Sequence, residues 1–140
     1  MYGVPSARMP SSTGTDVIAG FPGETDAQAD TLARRLERLP LSYLHVFSYS
    51  DRPGTEASGM AGKIDGPTIR TRGARLRAIG EKLAGSFRAS QVGTVRRALV
   101  VDDGTSVVTD NYLKLAIDSA RTRNEWVDVR VEAAFRGVVC

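Results

Sequence analysis

The segment from Thr15 to Thr25, TDVIAGFPGET, constrains the fold of this chain more than any other stretch. Its apolar run Val17–Ala19 has the length and composition of a buried strand, and the glycines and proline after it are typical of a tight turn. Thr25 followed by Gln28 predicts a capping box, in which each residue bonds a backbone amide of the other at a helix start. The segment therefore predicts a strand, a turn and a helix in direct succession.

A second strand follows this helix. Pro40 disfavours helical geometry at Leu39 and helps to end the helix. The segment Ser42–Ser50 is aromatic and β-branched, and its alternation places Tyr43, His45 and Phe47 on one face. Strand, helix and strand in so short a span form a βαβ unit with parallel strands. Such a unit cannot cover its own sheet edges, so we expect it to be part of a larger barrel.

The remaining residues predict a long helix and then an all-β region. Pro67 suits the first turn of a helix, whose apolar stripe would contain Ile69, Leu76, Ile79, Leu83 and Phe87. From about Ala89 the pattern changes to short alternating segments, with a hairpin signal at Asp103-Gly104 and the clearest alternation at 127–133. We expect four or five strands in a small antiparallel barrel or sandwich, with the boundary near residues 86–90.

Composition excludes several classes of protein. At 140 residues and 41% apolar content the chain can form a packed core, and no apolar run approaches the length of a membrane span. The N-terminus lacks the pattern of a signal peptide, so we expect a cytoplasmic protein without a membrane partner. Cys140 is the single cysteine. These residues therefore cannot assemble a cysteine-ligated zinc or iron–sulfur site on their own.

Charge is unevenly distributed. Residues 66–97 carry a net charge of +7, although the whole chain carries only +3. A basic centre of this kind is typical of a surface that binds a polyanion, and it is equally compatible with an ordinary solvated helix face.

The chain resembles the C-terminal part of a radical-SAM tRNA methylthiotransferase of the MiaB-like family. The matching motifs are TDVIAGFPGET at 15–25, LPLSYLHVFSYSDRPGTEA at 39–57 and TDNY at 109–112. The closest resemblance is to the branch that acts on threonylcarbamoyladenosine beside the anticodon. It implies an α/β region followed by an all-β one: residues 15–87 as a remnant of the radical-SAM (β/α) barrel, and 88–140 as an OB-like TRAM β-barrel. Residues 1–14 would be a disordered or unrelated leader.

The resemblance also implies a cofactor site. In the family the first motif lies beside S-adenosylmethionine, so the cofactor-binding residues would be Asp16, Gly20, Phe21, Pro22, Gly23 and Glu24. The glycines would allow close approach to a ligand, and the turn opens onto a helix N-terminus that favours anionic or polar groups. A purely structural turn remains the alternative, and Glu24 could simply favour the helix dipole. His45, the sole histidine, could be a packed barrel residue or a polar ligand contact.

For the all-β region the resemblance implies tRNA binding through the anticodon stem-loop. The candidate RNA-binding residues are Arg88, Arg96, Arg97, Asn111, Tyr112, Arg121 and Arg123. Arginines suit phosphate contacts, and a tyrosine between two β segments could stack on a base or pack into the barrel. Arg52, in the loop after the second strand, could face substrate or be ordinary surface charge.

Activity would require more than these residues. The family's iron–sulfur clusters need cysteines that this sequence lacks, so we expect no catalytic or metal residue here and an inactive chain in isolation. A separate upstream polypeptide is a possible partner. Two alternatives stay open: a stand-alone TRAM-type RNA-binding module, and a vestigial truncated product.

Overall fold

A computed structural model describes residues 12–140. The chain divides into two compact units, 13–85 and 86–140. One long helix, α2 (Gly66–Gln91), belongs to both units. The leader expected at 1–14 lies outside the described residues except at its end, where Gly14 begins the first strand.

The first unit is a βαβ arrangement with the helix α2 after it. Its elements are β1 (Gly14–Ala19), α1 (Asp26–Arg38), β2 (Tyr43–Ser48), a short 3-10 turn (Ala57–Gly59) and the first part of α2. The strands β1 and β2 are parallel, as the sequence predicts, and Asp16 lies opposite His45. The capping box is confirmed, because Thr25 Oγ1 accepts from Gln28 N and Gln28 Oε1 accepts from Thr25 N.

One face of this two-stranded sheet is packed and the other is exposed. The packed face and the helices share a core of Ala19, Ala33, Leu36, Leu76 and Ile79, with Leu44 and Val46 against it. The predicted alternation of β2 is therefore correct, since Tyr43 and Phe47 point to the opposite, exposed side. Within residues 12–140, no helix has the length and apolarity required to cross a membrane.

The second unit is a closed five-stranded barrel. Its strands are β3 (Val95–Val101), β4 (Ser106–Thr109), β5 (Lys114–Ile117), β6 (Trp126–Glu132) and β7 (Arg136–Val139), in the order β3-β4-β5-β7-β6. Neighbouring strands are antiparallel except for β5 and β7, which pair in parallel. The predicted fold class, an α/β part followed by a small OB-like barrel, is confirmed. The first barrel strand begins later than its alternation suggested, because α2 continues to Gln91 and Gly93 (φ 84°) then turns the chain.

The inward-facing side chains of the barrel form a second core. Its buried members are Phe87, Ala98, Val100, Val107, Leu113, Leu115, Ile117, Val129 and Val131. Phe87 comes from the end of α2 and covers part of the barrel interior. The β6–β7 hairpin turns through Ala134 and Phe135, which both adopt positive φ (58° and 57°).

Candidate functional site

The turn after β1 needs glycine at two positions. Gly20 and Gly23 have φ of 79° and 85°, and a Cβ on Gly20 would collide with the side chain of Ile69. Gly23 N donates to Gly62 O (2.8 Å), and Glu24 N donates to Phe21 O (3.0 Å). The N–H groups that the sequence suggested for a ligand are thus bonded within the protein at these positions.

A largely buried carboxylate fixes this turn. Glu24 Oε1 accepts from Gly20 N (3.1 Å) and from Arg72 Nη1 (2.8 Å). Arg72 also donates to Glu24 O (3.0 Å) and to Asp26 Oδ1 (2.6 Å). The side chains of Arg72 and Glu24 are only 12% and 14% exposed. Arg72 therefore holds the turn and the start of α1 together, a role that its place in a basic helix did not reveal.

The ion pairs of Arg72 also stabilise its charge. Hydrogen bonds to Asp26 and to Glu24 raise the pKa of Arg72 above its ordinary value. Partial burial acts in the opposite direction and is outweighed. The guanidinium is permanently charged, so the turn contains a fixed cation beside Gly20.

A cavity of about 570 Å³ lies beside the exposed face of the β1–β2 sheet. It is lined by Asp16, Ile18, Phe21, Phe47, Ser48, Tyr49, Ser50, Arg52, Thr55 and Ala57. The rings of Phe21 and Tyr49 meet edge to face with centroids 5.7 Å apart. Of the residues assigned to cofactor binding, Asp16 and Phe21 line this cavity, whereas Gly20, Pro22, Gly23 and Glu24 form the adjoining turn.

An exposed polar pair stands on the same face. His45 Nδ1 and Asp16 Oδ1 are 3.1 Å apart across the two strands, and both side chains are more than 60% exposed. The ring of Tyr43 packs against the imidazole with centroids 4.9 Å apart. The structure thus pairs two residues that the sequence offered separately, and it places neither in a packed core.

Lys63 holds the loop after β2. Its ammonium donates to Asp51 Oδ1 (3.1 Å), Tyr49 Oη (3.3 Å) and Ala57 O (3.1 Å). The hydrogen bond from Lys63 lowers the pKa of the Asp51 carboxyl below its ordinary value. This contact, between residues 12 apart, keeps Tyr49 and the Arg52 loop at the rim of the cavity. No motif or charge pattern in the sequence indicates this role of Lys63.

The described residues do not fit an iron–sulfur cluster. Among residues 12–140, no group of three or more His, Cys, Asp or Glu side chains could hold a metal ion. The one thiol, Cys140, is exposed. A cysteine-ligated cluster needs thiolates that these residues do not provide.

In the barrel unit some candidate RNA-binding side chains are exposed, and others already contact protein residues. Tyr112 is 80% exposed at the β4–β5 turn, with φ of 67°, and Arg121 and Arg123 are exposed in the loop before β6. Arg88 lies over the ring of Phe135, at 4.7 Å from its centroid. Arg96 is 15% exposed and contacts Gln91 Oε1 (2.9 Å) and Asp110 (3.7 Å).

Asn111 has an interior position. It is 1% exposed, its Oδ1 accepts from Thr109 Oγ1 (2.6 Å), and its Nδ2 donates to Gln91 Oε1 (2.8 Å). Gln91 is equally buried, and it joins this network to Arg96. Asn111 therefore ties the β4–β5 turn to the end of α2. A contact of its side chain with RNA would require this network to open.

The basic segment 66–97 is not a single uniform surface. Arg72 and Arg75 form ion pairs with acids of α1, and Arg96 pairs with Asp110 in the barrel unit. Because these cations already have protein partners, the local excess of charge available to a polyanion is smaller than the count suggests.

Comparison with known proteins identifies homologues. No family model matches the chain. It is 37% identical over 105 residues to a threonylcarbamoyladenosine tRNA methylthiotransferase MtaB of Aquifex aeolicus, covering 75% of this chain and 25% of that protein. It is 40% identical over 92 residues to a ribosomal protein uS12 methylthiotransferase RimO of Salinispora arenicola, covering 64% and 18%.

A third relative has another target in its name. The chain is 39% identical over 116 residues to a tRNA-2-methylthio-N(6)-dimethylallyladenosine synthase of Methylococcus capsulatus, covering 83% of this chain and 24% of that protein. The chain thus spans about a quarter or less of the length of these relatives. Together the matches show that the chain belongs to the methylthiotransferases and corresponds to a C-terminal part of such an enzyme.

Proposed function

We propose that this chain serves tRNA modification as part of a radical-SAM methylthiotransferase, with the barrel, a TRAM-type domain, binding the tRNA. The observation that carries the proposal is the 35–40% identity to methylthiotransferases. It is supported by the closed barrel that follows the βαβ unit and presents exposed cations and an exposed tyrosine. Two of the relatives above are named for tRNA adenosine derivatives, and we favour the threonylcarbamoyladenosine type.

The α/β unit would form one wall of the S-adenosylmethionine pocket. The cavity beside β1 and β2 has aromatic walls in Phe21, Phe47 and Tyr49, which suit a nucleoside, and Asp16 offers a hydrogen-bond acceptor at its edge. In the resembled family, S-adenosylmethionine supplies a methyl group and the means of abstracting a hydrogen atom. The contribution of this chain would be to shape the pocket, with Glu24 and Arg72 fixing the turn beside it.

We also propose that these 140 residues do not catalyse methylthiolation in isolation, because they carry a single cysteine. The purified chain, reconstituted anaerobically with iron and sulfide, is expected to bind no stoichiometric cluster and to leave tRNA unmodified. Methylthiolated adenosine in digests of the treated tRNA would contradict this expectation.

RNA binding by the barrel tests the central part of the proposal. A labelled anticodon stem-loop RNA is titrated with the full chain at several salt concentrations, and binding is followed by fluorescence anisotropy. Binding should weaken steeply with salt, because each phosphate that the protein neutralises releases counterions. Replacing both Arg121 and Arg123 by alanine should lower the slope of log K against log salt by about 1 for each phosphate that the variant no longer neutralises.

A matched control comes from α1. Arg34 and Arg35 are exposed residues of the other unit, so replacing both by alanine removes the same amount of charge without changing a residue of the barrel unit. The proposal predicts that this double variant changes the salt dependence of RNA binding less than the Arg121 and Arg123 double variant does. Equal weakening by the two double variants would indicate unspecific attraction, and failure of the unmodified chain to bind RNA would refute the tRNA-binding role.

A second function, a stand-alone RNA-binding module, is favoured by one observation. The barrel closes on itself and has its own core, so its strands need no further partner. A stand-alone module predicts the same RNA binding, but no methylthiolation when the other parts of a methylthiotransferase are supplied as a separate polypeptide. Methylthiolation restored by such complementation would exclude it.

A further inference from the structure

One exposed aromatic ring in the barrel unit is already paired with an arginine. Trp126, the first residue of β6, is 55% exposed, and the guanidinium carbon of Arg97 lies 5.2 Å from its ring centroid. Arg97 is on the neighbouring strand β3, where it stands opposite Asp128. The side chains of Arg97 and Trp126 point out of the barrel. Ala98 and Val129, on the same two strands, are fully buried and face inward, and side chains alternate along a strand.

The position of the Arg97 guanidinium is unusual for a strand pair. An arginine directly opposite an aspartate on an antiparallel pair is well placed for a salt bridge. Yet within residues 12–140 Arg97 and Asp128 form no ion pair, and the Arg97 side chain contacts the indole instead. Among the described residues Arg97 therefore has no acidic partner, and its guanidinium lies beside the indole of the one tryptophan in the sequence.

The loop before β6 adds further positive charge at this place. Arg123 lies three residues before Trp126, and the loop is tied to β3 by two backbone bonds, Asn124 N to Val100 O and Val100 N to Glu125 O (both 2.9 Å). These bonds continue the β3–β6 ladder into the loop. The two residues after Arg123 are consequently fixed against β3, at the end of the ladder where Trp126 begins β6.

Phe135 and Tyr112, the other exposed rings of the unit, do not combine a regular strand position with an arginine contact. Phe135 is 53% exposed and stands under Arg88, but it occupies a strained hairpin position beside an apolar cavity. Tyr112 is more exposed and has no ring or cation contact among the described residues. An indole on a regular strand, with a guanidinium beside it and a cationic loop, fits the chemistry of a flat base attached to a phosphate.

We propose that Trp126 and Arg97 form a stacking platform for an unpaired base of RNA, with Arg123 contacting an adjacent phosphate. The platform rests on the proposed function, since it names the part of the barrel that contacts RNA. It differs from a pure phosphate-binding surface because the base itself is required. Trp126 has not been assigned a role by any pattern in the sequence.

The chain reports on the platform directly, because Trp126 is its only tryptophan. The full chain is titrated with a short oligoadenylate and, as a matched probe, with an abasic ribose-phosphate oligomer of equal length and charge. Oligoadenylate should quench the indole emission in a saturable manner, and the abasic oligomer should not. Equal quenching by both, or no quenching while labelled oligoadenylate binds by anisotropy, would overturn the platform.

Variants give a second, independent measurement. Trp126→Ala should weaken oligoadenylate binding by roughly 5- to 150-fold, the equivalent of about 1–3 kcal/mol per stacked base, and Trp126→Phe should weaken it less. Binding of the abasic oligomer should change little. Phe135→Ala, which removes the other arginine-covered ring, serves as the control and should have the smaller effect.

The outcomes separate the platform from the proposed function. RNA binding that persists unchanged in Trp126→Ala and in Arg97→Lys would refute the platform and leave RNA binding by the barrel intact. Absence of any RNA binding by the unmodified chain would refute both. Circular dichroism checks that each variant is folded, and the quenching experiment needs no variant.

Discussion

The two units differ in how they treat the edges and faces of their sheets. In the barrel every strand has a neighbour on both sides, and the inward faces meet in one core. In the α/β unit, as far as residues 12–140 show, β1 and β2 pair only with each other, and one face of the pair carries exposed Ile18 (50%), Tyr43 (40%) and Phe47 (55%). The barrel satisfies its own backbone, whereas the two-stranded sheet leaves apolar surface and hydrogen-bonding groups open.

This difference predicts where stability lies. A two-stranded sheet is marginal without packing, and here it depends on α1 and α2 covering one face. Closed barrels have no edge to fray. We therefore expect the barrel to be the more protected unit and the βαβ unit to depend on a few non-local contacts.

The largest expected effect comes from the barrel core. Leu115 is 2% exposed, and Leu115→Ala should reduce the free energy of unfolding of the barrel by about 2–5 kcal/mol, because it leaves a cavity among packed side chains. Denaturant unfolding followed by Trp126 emission measures this change within the barrel unit. Leu36→Ala, an equivalent deletion in the other core, should leave the emission transition nearly unchanged.

The expected difference in stability between the two units would be contradicted if both variants shifted the Trp126 transition equally. If Leu36→Ala shifted the Trp126 transition as much as Leu115→Ala, the two cores would unfold as one cooperative unit. Amide hydrogen exchange of β1 and β2 in each variant distinguishes that case from local unfolding.

The sequence predicted what short-range patterns determine. The capping box of Thr25 and Gln28, the parallel βαβ pairing and the alternation of β6 all depend on residues near each other or on a simple period. The Asp103-Gly104 signal correctly placed the β3–β4 hairpin, although its loop includes Asp102 at positive φ as well. Local backbone preferences are sufficient for features of this kind.

Contacts between distant residues were not predictable in the same way. Arg72 meets Glu24 across 48 positions, and Asn111 meets Gln91 across 20. Local charge suggested a surface cation for the first, and a motif suggested an RNA-binding side chain for the second. Only the fold shows that Arg72 and Asn111 are hydrogen-bonded to other protein side chains. The pairing of Arg97 with Trp126 likewise requires the β3–β6 register.

A smaller effect on stability is expected inside the α/β unit, from the ion pairs of Arg72. Arg72→Ala should reduce the stability of that unit by about 1–3 kcal/mol, because it leaves the largely buried Glu24 carboxylate without its cation. Arg75→Ala, which removes an exposed ion pair with Asp30 on the same helix, should cost at most about 1 kcal/mol. Hydrogen exchange of the Gly20 amide, which donates to Glu24, is the measurement. Equal protection of that amide in the two variants would show that Arg72 does not fix the turn.

The smallest expected effect concerns the start of α2. Asp65 precedes the helix, and its carboxylate accepts from Thr68 Oγ1 (2.7 Å) and Thr68 N (3.0 Å), as at a helix N-cap. These two bonds lower the pKa of the Asp65 carboxyl below its ordinary value. The stabilisation is therefore fully present above the ordinary carboxyl pKa of about 4 and is lost as the pH falls through the lowered value.

Replacement of this cap should therefore have an effect that depends on pH. Asp65→Ala should lower the thermal midpoint at neutral pH, and the difference from the unmodified chain should shrink in acid, where the carboxyl of the unmodified chain is protonated. Glu81→Ala, an exposed acid further along α2 with no hydrogen bond or ion pair among the described residues, controls for the removal of a negative charge. A difference between Asp65→Ala and the unmodified chain that stays constant into acid would mean that the ionised carboxylate does not cap the helix.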